Sequence, residues 1–265
     1  MEPEKTTMNA PILSEVVNNG HQPEILFWVG CAGSFDQRAQ SITKAFAMIL
    51  DKIGIDYAIL GKEEMCTGDP ARRAGNEFLF QMMAYQNIQL LNKYKVKKIV
   101  TACPHCFNTL KNEYPELGGQ YEVIHHTSFI QSLMDEGKIR VRDGGGFAGK
   151  KITYHDSCYL GRINHIYEAP RKVLEALDAT LVEMKRCISN GMCCGAGGGQ
   201  MFKEEEKGNQ RINTERSAEA IDTNATIIAT GCPFCNTMMA DGIKTNNRED
   251  DINVLDIAEL VAQSI

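Results

Sequence analysis

The chain reads as an α/β protein made by tandem duplication, with two parallel-sheet, Rossmann-like halves in a pseudo-twofold relation. Three observations predict this. First, nine of the ten cysteines fall into two copies of one pattern. One copy is Cys31, Cys66 and Cys103-Pro104-His105-Cys106; the other is Cys158, Cys193-Cys194 and Cys232-Pro233-Phe234-Cys235. The spacing between copies is 127 residues at Cys31/Cys158 and Cys66/Cys193, and 129 at Cys103/Cys232 and Cys106/Cys235. Second, short apolar runs alternate with helical periodicity in each half, the pattern of parallel strands joined by right-handed crossovers. Third, the cysteines follow the C-terminal ends of predicted strands, the edge where open α/β sheets build their sites.

The elements follow in order. Residues 1–23 read as a loose leader. Residues 24–30 (EILFWVG) are an apolar run, predicted as a buried strand ending at Cys31. Over 36–53, Ala39, Ile42, Phe46, Ile49 and Leu50 recur at helical spacing. Residues 56–60 form a second strand, followed by a loop with Cys66. A long helix is predicted from Pro70 to Tyr94, with Asp69 as its N-cap and Pro70 at its first position. Residues 97–102 and 122–125 complete the first set of strands, and a helix starts at Ser128. Residues 143–149 (DGGGFAG) form the linker, since glycine suits neither a helix nor a strand. The second half repeats the order: strand 151–155, helix 164–177, strand 180–184, the Cys193-Cys194 loop, helix 211–220, strand 225–230, and a final helix from Asp256 after a strand at Val254. The expected domains are therefore 24–142 and 150–265.

Composition limits the function. With 43% hydrophobic and 23% charged residues in 265, each half can bury a core of its own. A net charge of −6, without basic runs, argues against a nucleic-acid surface. No stretch approaches the roughly 20 apolar residues of a membrane span, and residues 1–22 have no apolar signal segment. A cytoplasmic, reducing location is expected, where cysteines ligate metals more readily than they form disulfides.

Four thiolates complete a zinc site or a [4Fe–4S] cubane. The second copy offers five: Cys158, Cys193, Cys194, Cys232 and Cys235. Either one is a spectator or a thiolate bridges an unusual cluster. Helix N–H groups at the start of the CPxC segment, and amides freed by Gly195, Gly197, Gly198 and Gly199, would offset the charge. The string GAGGGQ lacks the GxGxxG pattern of a dinucleotide loop. Cys187 has no counterpart in the repeat and reads as a spectator. Met82 and Met83 read as core filling, Arg72 and Arg73 as a surface face, and residues 203–207 (KEEEK) as a solvated run. A CxxC that ends a strand and opens a helix also suits a thiol–disulfide oxidoreductase working through Cys103 and Cys106. The other cysteines, recurring at matched spacing, have no part in that reading.

Together, VGCAGSFDQRA, EEMCTGDPARRAGNEFLFQ, IVTACPHCFNTLKNEYPELGG, ITYHDSCYLGR, GMCCGAGGGQMFKEEE and ATGCPFCNTMM resemble the cysteine-rich CCG domains of heterodisulfide reductase and of the glycolate oxidase iron–sulfur subunit. The resemblance covers nearly the whole chain after Pro23. It implies an iron–sulfur electron-transfer subunit of a heterodisulfide reductase-like oxidoreductase complex, with a non-cubane [4Fe–4S] cluster on the five-cysteine copy. It also implies partnership with other redox subunits, a ferredoxin-type and membrane-bound one included, and so a cytoplasmic protein peripheral to the inner face of a membrane.

The first copy departs from the pattern: Thr67 stands where Cys194 stands in the second. Cys31, Cys66, Cys103 and Cys106 then form a four-thiol site for zinc or a second iron–sulfur cluster, or a purely structural zinc scaffold. His105, His125, His126 and His155 read as surface histidines or as groups behind the ligands, not as a fifth ligand. The partner face is expected near Cys158 and residues 195–199, with Tyr159 and Gln200 exposed on it.

Overall fold

In the computed structural model, which describes residues 10–142, 146–204 and 208–265, the duplication is visible in the order of the strands. One sheet holds β1 (Ile25–Trp28), β2 (Tyr57–Ala58), β3 (Lys98–Thr101) and β4 (Glu122–His125). The other holds β5 (Lys151–Tyr154), β6 (Thr180–Leu181), β7 (Ile227–Thr230) and β8 (Asn253–Asp256). The orders are β2-β1-β3-β4 and β6-β5-β7-β8, the same permutation. The pairings are parallel, and the register repeats: Leu26 faces Ile99 as Ile152 faces Ile227. Strands β1 and β7 are buried along their whole length, as expected where helices cover both faces of a parallel sheet.

The halves share one core. Phe46, Leu50, Phe129 and Leu133 of the first pack in one cluster with Ile152, Leu174, Leu260 and Val261 of the second. Helix Gln37–Lys52 packs on helix Ile257–Ser264, and helix His126–Asp135 packs on helix Glu168–Ala176. In each pair, one helix follows the first strand of its half and the other follows the last strand of the opposite half. Exchanging the halves therefore exchanges the two contacts, which is the pseudo-twofold. Several polar links cross the seam, among them Asn112 to Asn164 and Asn164 to Asn108. Arg38 donates to both oxygens of Glu259, at 2.8 and 2.6 Å, and to the Val254 carbonyl. His126 Nε2 lies 2.8 Å from Asp256 Oδ1, with both side chains wholly buried.

Several expectations are corrected. The leader is not loose where it is described: Leu13–Asn18 is helical, Leu13 is fully buried, and Ile12 bridges Ile59. Residues 1–9 lie outside the described residues. The long helix is two, Asp69–Arg73 and Glu77–Lys93. Gly75 takes φ +87° between them, and Asn76 caps the second by accepting from Leu79 N–H. Asp69 is not the N-cap; Gly68 holds that position with φ +90°, which frees the Asp69 carboxylate for other work. The helix expected from 164 begins at Glu168, after a wide turn at Tyr159–Ile163. The strand expected over 180–184 is Thr180–Leu181. The linker is partly anchored, since Phe147 is buried in the shared core; residues 143–145 lie outside the described residues. Met82 is exposed and fills no core. Lys203 and Glu204 are exposed as expected, and 205–207 are not described.

Candidate functional site

Each cysteine set assembles at one edge of its sheet. In the first half, Cys31 follows β1 in a short helix, Cys66 and Thr67 lie in the loop after β2, and Cys103 follows β3. In the second, Cys158 follows β5, Cys193 and Cys194 lie in the loop after β6, and Cys232 follows β7. Cys103 and Cys232 are each the N-cap of a helix with proline at its first position, so Cys106 and Cys235 sit in the first turn. In the longer of these, Pro233–Thr245, the free N–H groups at the helix start favour anionic sulfur.

The thiols of each set lie close enough to shift one another's ionisation. Cys158 acts on Cys193, Cys193 on Cys194, and Cys194 and Cys232 on Cys235. In the first half Cys31 is raised by Cys66 and Cys103, and Cys106 by Cys103, Cys31 and Cys66. All four thiols of the first half and all five of the second are thus brought together. Cys187 belongs to neither set. The Cys193 thiol is pushed down, first by Cys158 and Cys194, and the Cys158 thiol is pushed up, first by Cys193. The Cys66 thiol is likewise lowered to about 7, chiefly by Cys31. Crowded sulfurs that act on one another in this way release their protons readily to a cation.

The geometry accounts for the glycine that ends CTG and CCG. Gly68 and Gly195 take φ of +90° and +94°. Gly68 N–H points at Cys66 Sγ at 3.5 Å, and Gly195 N–H at Cys193 Sγ at 3.2 Å. A side chain at Gly68 would also strike Phe80, at 2.9 Å. The threonine of CTG takes the place that Cys194 has in the other half: Thr67 Oγ1 lies 3.9 Å from Cys106 Sγ, and Cys194 neighbours Cys235.

The four histidines are buried, so none is a surface group. His105 Nδ1 lies 2.9 Å from Asp69, which also accepts from Arg73 at 3.0 Å. Burial works against the His105 charge, but Asp69 and then Cys232 raise its pKa. Its ring stacks on Tyr159 at 4.2 Å and meets Phe234 edge-on. Tyr159, expected to be exposed, is therefore half covered. Arg72 and Arg73 are also more than a surface face, because both pair with the largely buried Glu113. His125 bonds Thr127 through Nδ1 and is held neutral by burial and then by His126. His155 comes closest to the thiols: one of its ring nitrogens and the Sγ atoms of Cys194 and Cys235 lie within 4.8 Å of one another. Its pKa is pushed down to about 3 by burial and then by Arg216.

Asp69, Arg216 and the Asp156–Arg171 pair are site residues that the sequence pattern does not single out. Asp69 has the sequence signature of a helix cap, and the arginines carry no local signal of burial. One signal does exist for His155: it stands three residues before the first cysteine of its copy, as Trp28 does in the other.

The cysteine-rich domain family designated CCG matches residues 25–111 and again 152–240. The chain belongs to this CCG family. Its similarity to curated proteins agrees. It is 48% identical over 256 residues to the probable iron–sulfur-binding oxidoreductase FadF of Bacillus subtilis, covering 96% of this chain and 36% of that protein. It is 45% identical to the EtfAB:quinone oxidoreductase of Syntrophomonas wolfei, covering 93% of this chain and 36% of that protein. To a subunit of the dihydromethanophenazine:CoB–CoM heterodisulfide reductase of Methanosarcina barkeri it is 36% identical, covering 91% of this chain and 59% of that protein. This CCG protein thus spans about a third of the length of the first two relatives.

The thiol sets suit an iron–sulfur group in their chemistry. The second set supplies sulfur donors, an amide N–H at Cys193 and a helix N-terminus. Cys194, Cys232 and Cys235 are buried with Ala196, which would keep water from the metal. Among the described residues no helix is long and apolar enough to cross a membrane.

Proposed function

We propose that this CCG protein is the iron–sulfur electron-transfer module of a larger oxidoreductase related to heterodisulfide reductase. Cys158, Cys193, Cys194, Cys232 and Cys235 hold a non-cubane [4Fe–4S] cluster. Cys31, Cys66, Cys103 and Cys106 hold a four-coordinate centre, either zinc or a second iron–sulfur cluster. The observation that carries the reading is the gathering of Cys158, Cys193, Cys194, Cys232 and Cys235 at one sheet edge, near enough to shift one another's ionisation. Five neighbouring sulfurs exceed what zinc or a cubane requires. The names of the relatives and the family match support iron–sulfur binding.

When bound, the cluster supplies one-electron chemistry. The chain's own residues hold it by thiolate, shield it with Ala196, and direct the Gly195 N–H at Cys193. The two halves, taken as 24–142 and 150–265, bring the two centres to a common seam. The electron partner is a ferredoxin-type iron–sulfur module, and the protein works at the cytoplasmic face of a membrane as a peripheral component. A relative from Chromohalobacter salexigens described as a probable membrane-anchored ferredoxin supports that choice.

Thiol–disulfide exchange through Cys103 and Cys106 is less well supported. Both are buried, at 3% and 6% exposure, and Cys103 and then burial raise the Cys106 thiol, whereas a reactive thiol needs access and a low pKa.

Anaerobic purification with metal analysis tests the reading. About four irons per chain are expected in the second site, with a brown colour and a spectrum unlike a cubane. A colourless protein with zinc alone would leave only a scaffold.

A further inference from the structure

Behind the second cysteine set lies a pair of buried groups that the proposed ligand set does not use. Arg216 is wholly buried, and its Nε donates to His155 Nδ1 at 3.1 Å. Its Nη1 donates to the Arg186 carbonyl at 2.8 Å and to Glu219 at 3.0 Å. A guanidinium can only donate, so Nδ1 must present its lone pair. The neutral imidazole then carries its proton on Nε2. His155 Nε2 is buried and finds no partner among the described residues, while a ring nitrogen of the same residue lies within 4.8 Å of Cys194 and Cys235 Sγ.

This arrangement argues against His155 as a metal ligand. A ligating nitrogen needs a lone pair, and Arg216 fixes the tautomer that lacks one at Nε2. It leaves a buried N–H without a partner among the described residues, on a ring that has a nitrogen within 4.8 Å of both sulfurs. The first half has a ring N–H at the equivalent sequence position: Trp28, also three residues before its first cysteine, has its Nε1 buried without a partner among the described residues and packs in one core with Cys103 and Cys106.

We infer that His155 is a positioning residue that donates Nε2–H to the Cys194 or Cys235 thiolate and, backed by the Arg216 cation, raises the reduction potential of the cluster. The inference rests on the iron–sulfur reading above and adds to it a group that tunes the site. An N–H bond stabilises negative charge on sulfur, and the reduced cluster carries one more negative charge than the oxidised. Removing the donor therefore makes reduction harder.

The test is a dithionite titration of anaerobically purified protein, followed by electron paramagnetic resonance. His155→Phe keeps a ring and loses the N–H. It is expected to retain its iron and to lower the equilibrium constant for one-electron reduction about tenfold, about 59 mV. His155→Gln, whose amide reaches the Nε2 position, is expected to recover at least half of that shift. In wild-type protein labelled with ¹⁵N-histidine, one weakly coupled ring nitrogen and an exchangeable proton lost in D₂O are expected. Strong coupling, as from a directly ligated nitrogen, would overturn the inference; so would the absence of the exchangeable proton, a measurement that stands even if the variants fail to fold. Retained iron with an unshifted potential in His155→Phe overturns the inference and leaves the iron–sulfur reading intact. A wild-type protein that takes up no iron overturns both.

Discussion

The ring of His105 meets the ring of Phe234 edge to face, with centroids 5.5 Å apart and planes at 90°. Each is the third residue of its CPxC segment, so the two repeats touch through equivalent positions. Asp69 holds the other side of the His105 ring, and Tyr159, next to Cys158, stacks on its face. The two thiol sets are thus linked through side chains adjacent to their sulfurs. Phe234→Ala removes an aromatic pair worth about 0.5–1.5 kcal/mol beyond its burial. At about 2–4 °C per kcal/mol, Tm should fall by a few degrees, with metal content retained and the absorption of the second centre altered. An unchanged melting curve and spectrum would show that the contact couples nothing.

Cys194 and Cys187 make a matched comparison. Cys194 is buried beside Cys193 and Cys235, whereas Cys187 is half-buried and its surroundings are carboxylates and arginines. Cys194→Ser should lose or convert the cluster, visible as lower iron content and a changed resonance spectrum. Cys187→Ser should leave both as in wild type. Equal behaviour of the two variants would sink the five-ligand assignment.

The parallel-sheet halves were legible because the chemistry lies at strand ends, and the repeat marks each of those ends with cysteine. The runs EILFWVG and KKIVTA are buried strands for the same reason that they read as strands: both faces are covered, so polar alternation is absent. Side-chain partnership was less legible. Asp69 looks like a helix cap because it precedes Pro70, but Gly68 can adopt φ +90° and takes that position, which releases the carboxylate to His105. The break at Gly75-Asn76 is hidden by apolar periodicity continuing on both sides. The burial of His155 and Arg216 depends on helix Ile212–Ile221 bringing Arg216 against His155 just after β5, a tertiary fact without a local signal.

Thr67 sets the difference between the two sites. Its hydroxyl lies against Cys106 where a fifth sulfur would be, and its main chain already has the Gly68 N–H directed at Cys66. Thr67→Cys replaces the buried hydroxyl with a thiol and removes one methyl group. After anaerobic reconstitution the variant should gain iron in the first site and show the spectrum of the second site at increased intensity. Wild-type protein with Cys31, Cys66, Cys103 and Cys106 free of metal, after purification with zinc and iron supplied, would count against a centre there.

Asp156 and Arg171 brace the loop that leads to the second cysteine set. Arg171 donates through Nη1 and Nη2 to Asp156, each at 2.9 Å, and through Nε to Glu183 at 2.6 Å. Asp156 also accepts from Ile188 N–H at 2.7 Å, which fixes the turn after Cys187. Arg171→Ala leaves the Asp156 carboxylate buried without its cation, a change that typically costs about 3–5 kcal/mol. Urea unfolding of the variant should show a clearly lower midpoint with little change in slope. A midpoint equal to wild type would mean that water replaces the guanidinium at no cost.

The partner face is best sought at Phe202. Its ring is 64% exposed and stands 6.2 Å from the ring of Phe234, between Cys232 and Cys235. Gln200 beside it is exposed as expected, whereas Tyr159 is engaged by His105 and serves poorly as a docking residue. An exposed aromatic ring against the Cys232–Cys235 segment offers a docked module a close approach to the proposed second centre. Phe202→Ala and Gln200→Ala should slow electron exchange with a reduced ferredoxin-type protein several-fold in stopped-flow measurements, while leaving the cluster spectrum and potential unchanged. Rates equal to wild type would move the docking face elsewhere. Turnover of a small disulfide by the isolated chain, without any protein partner, would instead favour dithiol chemistry at Cys103 and Cys106, because a module that only relays electrons has no reason to act alone.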